Sequence, residues 1–153
     1  MALNTADLLV GARRTQRILW LAFMAAAALY VVVALFLVKN RSGEGVGVRD
    51  PGSLSYIFYA VAAVIFVGAL LIRRRLDGMV LPDALSAVHG STAALVAGLA
   101  LMDAVPLMGL VLIVLGGEMP DALPLLGGGL VGMVLLRPDT AGLEERIRST
   151  LGG

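Results

Sequence analysis

Apolar residues form four blocks along the chain, and short charged or glycine- and proline-rich segments separate them. The blocks cover residues 18–38, 54–72, 84–115 and 122–136. A helix of about 20 mainly apolar residues is long enough to cross a hydrocarbon core of about 30 Å. The pattern therefore predicts an all-α membrane protein, with four transmembrane helices packed as one bundle in a single domain.

The last two blocks differ most in length. As a helix, the block 84–115 would be about 48 Å long, so its first turns should extend into the membrane interface. The block 122–136 would reach only about 22 Å, which predicts local thinning of the bilayer or a helix close to the membrane normal.

The two terminal segments, 1–12 and 140–153, mix apolar and polar residues. In the second, Leu143, Ile147 and Leu151 recur at four-residue spacing, so a helix would gather them on one face. We expect both segments to lie at the membrane surface.

Basic residues are concentrated on one side of the predicted bundle. Cytoplasmic segments are enriched in lysine and arginine, so the distribution predicts that both termini are cytoplasmic. The predicted cytoplasmic residues are Arg13, Arg14, Arg17, Arg73, Arg74, Arg75, Arg137, Arg146 and Arg148, and those on the other side are Lys39, Arg41 and Arg49.

The composition agrees with a membrane protein. Hydrophobic residues make up 59% of the chain and charged residues 15%, whereas soluble domains carry about 25% charged residues. Lys39 is the one lysine among 12 basic residues. This preference for arginine is typical of GC-rich bacterial genomes, and we expect the protein in the bacterial inner membrane.

The chain lacks the residues that several classes of function require. The chain has no cysteine and 1 histidine, which excludes thiolate chemistry and multi-histidine metal sites. Phosphate-binding loops and zinc-protease motifs are also missing. A net charge of +1 argues against a nucleic-acid partner. We therefore expect no enzymatic activity, metal or cofactor, and as partners the lipid bilayer and either further copies of the chain or a larger membrane complex.

Asp103 is the residue that the apolar pattern does not explain. It lies near the middle of the third block, and no lysine or arginine lies within any block. An ionised carboxylate at that depth costs about 2.5–3.5 kcal/mol on insertion scales, so we expect Asp103 to be protonated at neutral pH. Two hypotheses follow: a reversible proton-binding group, or a hydrogen-bonding group between helices whose partner is a carbonyl or a tyrosine.

Three nearby residues are candidates for supporting Asp103. Pro106 removes the helical donor of the Met102 carbonyl, which predicts a kink or local opening there. His89 and Thr92 fall on the same helical face as Asp103. Thr92 is about 16 Å away along the axis, so a proton path would need water. The alternative is that His89 simply lies in the interface.

Gly128 and Gly132 form a GxxxG motif in the fourth block. Small residues at this spacing let two helices approach closely. The motif predicts either a self-association face or a contact inside the bundle, and we favour the contact inside the bundle.

The stretch "GLALMDAVPLMGLVL", residues 98–112, resembles the carboxylate-bearing helix of the F-type ATP synthase ring subunit c, the proteolipid. In that family a helical hairpin has a cytoplasmic polar loop, and its second helix carries the acid at mid-membrane. Asp103, Pro106 and Gly109 match the pattern. The resemblance implies that Asp103 is the proton carrier of a rotating ring. Unlike that family, the second block here carries only Gly68 where the inner ring helix is rich in glycine.

The whole chain also resembles small four-helix bacterial membrane proteins with an Arg-Ile-x-Trp opening, here residues 17–20, and an acid in helix three. That resemblance implies no activity. The residues therefore leave three hypotheses: a non-catalytic structural or accessory subunit, a proteolipid-like proton-binding subunit, or a small proton-coupled transporter.

Overall fold

The computed structural model describes residues 5–40, 51–77 and 84–138. These ranges contain four helices and no strand, which confirms the predicted all-α fold. The helices are α1 (Thr5–Lys39), α2 (Pro51–Asp77), α3 (Ala84–Val114) and α4 (Met119–Leu135).

Three of these helices are long and apolar enough to cross a membrane. Their apolar segments are Val10–Lys39, Ser53–Arg75 and Val88–Val114. The fourth helix, α4, is apolar but has only 17 residues, a length of about 25 Å. Three helices therefore have the length and composition predicted for membrane spans, and α4 is apolar but shorter.

Three helices differ in their boundaries from the prediction. α2 extends from Pro51 to Asp77 and so passes both ends of the predicted block 54–72. α1 begins at Thr5, so residues 5–12, predicted as a surface segment, continue the first helix without a break. α4 begins at Met119 rather than at residue 122, because Pro120 lies in its first turn, where a missing N–H breaks no helical bond. The predicted surface helix at 140–153 lies outside the described residues.

A glycine turn ends α3 and sends the chain into α4. Gly116 has a φ of 105°, a conformation that a residue with a Cβ adopts only at a cost. The N–H of Gly117 donates to Leu112 O at 2.8 Å and that of Gly116 to Ile113 O at 3.1 Å. This pair of bonds is a Schellman motif, which satisfies two carbonyls at the end of α3.

The helices alternate in direction. Gln16 and Tyr30 of α1 bond to Thr92 and Asp103 of α3 in the same order, so α1 and α3 are parallel. By the same reasoning α2 and α4 are parallel, with Tyr59 bonded to Asp121 and Arg73 to Leu135. Trp20, in the first half of α1, bonds to Met133 near the end of α4, so the two pairs run in opposite directions. We call the end where α1 and α3 begin the N-terminal end of the bundle.

α3 is the central helix and packs against the other three, while α1 and α2 each also contact α4. α1 and α2 share few contacts with each other and direct apolar side chains such as Phe36 and Val64 outward. Apolar outward faces suit a bundle surrounded by lipid.

The interior consists of two apolar clusters, one above the other. The cluster toward the N-terminal end contains Ala27, Ala69, Leu99, Met102, Met133 and Leu136. The cluster toward the opposite end contains Ala34, Val105, Leu112, Ile113, Ala122, Leu125 and Leu126.

Glycines bring α3 and α4 together, although not as the GxxxG motif predicts. A Cβ at Gly132 would collide with Met102, and one at Gly129 with Pro106. Gly128 is exposed, and a Cβ there would meet no atom within 4 Å. The predicted pair is therefore corrected to Gly129 and Gly132. Gly129 lies near the middle of the buried face of α4, and Gly128 is about 100° away from it around the helix.

Candidate functional site

Asp103 lies near the middle of the apolar segment of α3 and faces α1. Its Oδ2 accepts a hydrogen bond from the hydroxyl of Tyr30 at 3.2 Å. Both side chains are partly buried. The bond therefore joins two parallel helices at mid-depth, in surroundings that are otherwise apolar.

The second carboxyl oxygen of Asp103 has a different environment. Oδ1 is inaccessible and has no hydrogen-bond partner among the described residues. A buried charged oxygen without a donor costs more free energy than a neutral one. Oδ1 would carry that cost if Asp103 were ionised.

The two apolar clusters enclose the Tyr30–Asp103 pair along the bundle axis. On α3, Leu99 and Met102 belong to one cluster and Val105 to the other, with Asp103 between them. The side chains described along this axis are apolar on both sides of the acid. Such an interior gives no support to the transporter hypothesis, which requires a hydrated cavity beside Asp103.

Pro106 contributes to packing rather than to the acid. α3 continues through it without interruption from Ala84 to Val114. Pro106 is buried, and Gly129 of α4 lies directly against its ring. The proline and the acid therefore face different neighbours, α4 and α1, and the predicted local opening does not interrupt the helix.

The structure does not bring His89, Thr92 and Asp103 into one polar path. Thr92 Oγ1 accepts a hydrogen bond from Gln16 Nε2 at 3.3 Å. His89 is exposed, and the apolar Leu99 and Met102 lie between Thr92 and Asp103. Thr92 thus belongs to a separate contact between α1 and α3.

Gln16 is the centre of that contact, and sequence reasoning missed it. Its side chain is only 4% exposed, and Nε2 also lies 3.2 Å from Ser91 Oγ. In the sequence it stands among arginines and looks like part of a charged flank. Its spacing of four residues from the buried Ala12 and from Trp20 was the signal that could have identified it.

The C-terminal end of α4 has all its carbonyl groups satisfied. The last four carbonyls of a helix lack donors within that helix. Here two accept from the backbone N–H groups that follow, and two accept from side chains of other helices. The pairs are Gly132 O with Leu136 N, Val134 O with Arg137 N, Met133 O with Trp20 Nε1 at 2.9 Å, and Leu135 O with Arg73 Nη1 at 2.6 Å.

The opposite end of α4 is held by α2. The hydroxyl of Tyr59 donates to the Asp121 carbonyl at 2.5 Å, and the ring of Tyr59 meets that of Tyr56 edge-on at 6.4 Å. Side chains of α1 and α2 therefore position both ends of the shortest helix. Tyrosine at this level is consistent with an interfacial position.

Within the described ranges, no three histidine, cysteine or acidic residues are grouped so that they could hold a metal ion. No protein-family model matches the chain, and no curated protein or solved structure is significantly similar to it.

Proposed function

We propose that the chain is a non-catalytic structural or accessory subunit of the bacterial inner membrane, in which a neutral Asp103 joins α1 to α3. The observation that carries this proposal is the hydrogen bond from Tyr30 to Asp103 Oδ2. Interhelical polar bonds in membranes contribute on average about 0.6 kcal/mol and up to about 1.7 kcal/mol. A single bond of this kind positions two parallel helices without further chemistry.

The proposal includes α4 as a fourth membrane span, with both termini in the cytoplasm. α4 runs beside α2 from the Tyr59–Asp121 contact to the Arg73–Leu135 contact. It therefore covers the same depth as 14 residues of α2, about 21 Å. Its shortness is accommodated by local thinning of the bilayer or by packing within the bundle.

Infrared spectroscopy of the purified protein in lipid tests the neutral state directly. A protonated carboxylic acid gives a C=O stretching band that a carboxylate lacks. We expect that band at neutral pH, its loss in Asp103→Asn, and a frequency shift in Tyr30→Phe. Tyr56→Phe, which alters an exposed tyrosine on α2, is the matched control and should leave the band unchanged. A spectrum of wild type and Asp103→Asn with no difference in this region would contradict the proposal.

Reversible proton binding by Asp103 is the second candidate function. It is favoured by the shielded Oδ1, which has no hydrogen-bond partner among the described residues. A neutral acid at this position can release its proton if a partner or water reaches it. The proteolipid resemblance adds to this candidate through Asp103 and Pro106.

Carbodiimide labelling and native mass spectrometry separate the two candidates. A proton-binding carboxyl should react with a hydrophobic carbodiimide at neutral pH, more slowly as the pH rises, and a ring subunit should form one large closed oligomer. A structural group covered by α1 should react slowly in a monomer or small complex. Peptide mapping must place the label on Asp103, with Asp103→Asn as the unlabelled control.

A further inference from the structure

Arginines of α1, of α2 and of the segment after α4 lie around the C-terminal end of α4. Arg73 of α2 donates to the Leu135 carbonyl. Arg137 follows the same helix end by two residues and is exposed. Arg17 of α1 is also exposed, and it lies one turn before Trp20, whose indole N–H donates to Met133 O. We call Arg17, Arg73 and Arg137 the arginine cluster.

The arginine cluster lies at the level of a membrane interface. Trp20, the only tryptophan of the chain, is a residue type that prefers the headgroup region. α4 ends here, whereas α1 and α3 continue toward the N-terminal end, where Gln16 contacts Thr92. A phospholipid beside α4 would therefore place its phosphate next to the cluster.

The charged side chains that the structure describes at this end are arginines. They come from α1, from α2 and from the residues after α4, while Asp7 of α1 and Asp77 of α2 lie beyond these arginines toward the ends of the two helices. Asp103 lies at mid-depth, and Glu118 and Asp121 lie at the opposite end of α4. The negative end of the α4 dipole would repel an anion, but Arg73 already binds its last carbonyl.

We propose that the arginine cluster binds the headgroup of an anionic phospholipid in the leaflet at the N-terminal end of the bundle. Planar guanidinium groups bind phosphate oxygens through paired hydrogen bonds. The proposal goes beyond the role of Asp103 and rests only on the bundle lying in a bilayer. An arginine that contacts the headgroup is expected to strengthen binding about fivefold, and one that faces away from it is expected to contribute little.

Quenching of Trp20 fluorescence by brominated lipids measures this binding at the site itself. The full chain is placed in vesicles of phosphatidylcholine with a small fraction of phosphatidylglycerol. Two samples contain the same mole fraction of brominated lipid, which is phosphatidylglycerol in one sample and phosphatidylcholine in the other. Stronger quenching by the brominated phosphatidylglycerol at equal mole fraction reports a preference for the anionic lipid beside Trp20. We expect a preference of at least about fivefold.

Two double variants test whether the lipid preference depends on the arginine cluster itself or only on the total positive charge at this end. Arg17→Gln with Arg137→Gln should reduce the preference to near parity. Arg14→Gln with Arg75→Gln removes the same charge at the same end. By helical angle, Arg14 lies about 120° from Trp20 and Arg75 about 160° from Arg73, so both face away from the end of α4. This control should keep the preference.

Two results would overturn the proposal: no preference in the wild type, or an equal loss in both double variants. Equal melting temperatures of the two double variants in detergent show that the difference is not caused by unfolding. Inorganic phosphate should leave the quenching unchanged, which separates a lipid site from a free-phosphate site. Tyr30→Phe should leave the lipid preference intact, so failure of this proposal and failure of the Asp103 proposal are distinguishable.

Discussion

The hydroxyl of Tyr30 lies 3.2 Å from Oδ2 of Asp103, and this bond connects α1 and α3 between two apolar clusters. Replacing Tyr30 with phenylalanine keeps the ring and removes the bond. We expect Tyr30→Phe to lower the free energy of unfolding by about 0.6–1.7 kcal/mol. Thermal unfolding in detergent checks this value, and Tyr56→Phe should leave the melting temperature unchanged because Tyr56 is 75% exposed.

Asp103→Asn should preserve the fold. An asparagine is neutral, has nearly the same shape, and can still accept a hydrogen bond from Tyr30 through its carbonyl oxygen. If Asp103 is normally neutral, we expect a change of less than about 0.5 kcal/mol in the free energy of unfolding. Loss of expression or a large fall in melting temperature would show that the native fold requires a carboxylate.

Gly129→Ala should destabilise the contact between α3 and α4. The new methyl group would collide with the Pro106 ring, and Pro106 is buried and fixed within α3. Overpacking of this kind costs about 1–3 kcal/mol. Gly128→Ala is the matched control, one residue away and facing open space. If the melting temperatures of the two variants fall equally, the assigned face of α4 is wrong.

Arg73→Gln should loosen the C-terminal end of α4. The variant removes the donor to the Leu135 carbonyl, a bond on the exposed side of the bundle. We expect a loss of about 0.5–1.5 kcal/mol, together with faster amide exchange in the last turn of α4. Arg75→Gln removes the same charge from the outward face of α2. In this variant, amide exchange in the last turn of α4 should match the wild type.

The sequence predicts the features that depend on composition and on single unusual residues. Four apolar blocks predict the four helices, because an apolar run of this length has few alternatives in a membrane. Asp103 stands out because it is the one charge inside those blocks. The sequence also predicts a tyrosine as one class of partner for Asp103, but it does not single out Tyr30.

Other features depend on how the helices rotate against one another. Three consecutive glycines, residues 127–129, leave the buried face of α4 undetermined, and the structure uses Gly129 where the motif indicated Gly128. The burial of Gln16 is not evident from the sequence, because it stands among arginines and a single polar residue near a helix end can be either buried or solvated. The bonds of Trp20 and Arg73 to α4 carbonyls have no sequence pattern, because backbone acceptors are present at every position.

The most direct test of the central claim is a double-mutant cycle with Tyr30→Phe and Asp103→Leu, measured as free energies of unfolding in lipid bicelles. Leucine replaces the acid with an apolar side chain of similar size, so each single variant removes the bond and little else. A direct bond predicts a coupling energy of about 0.6–1.7 kcal/mol between the two positions. Additive effects, with no coupling, would contradict the role of Asp103 as the polar connection between α1 and α3.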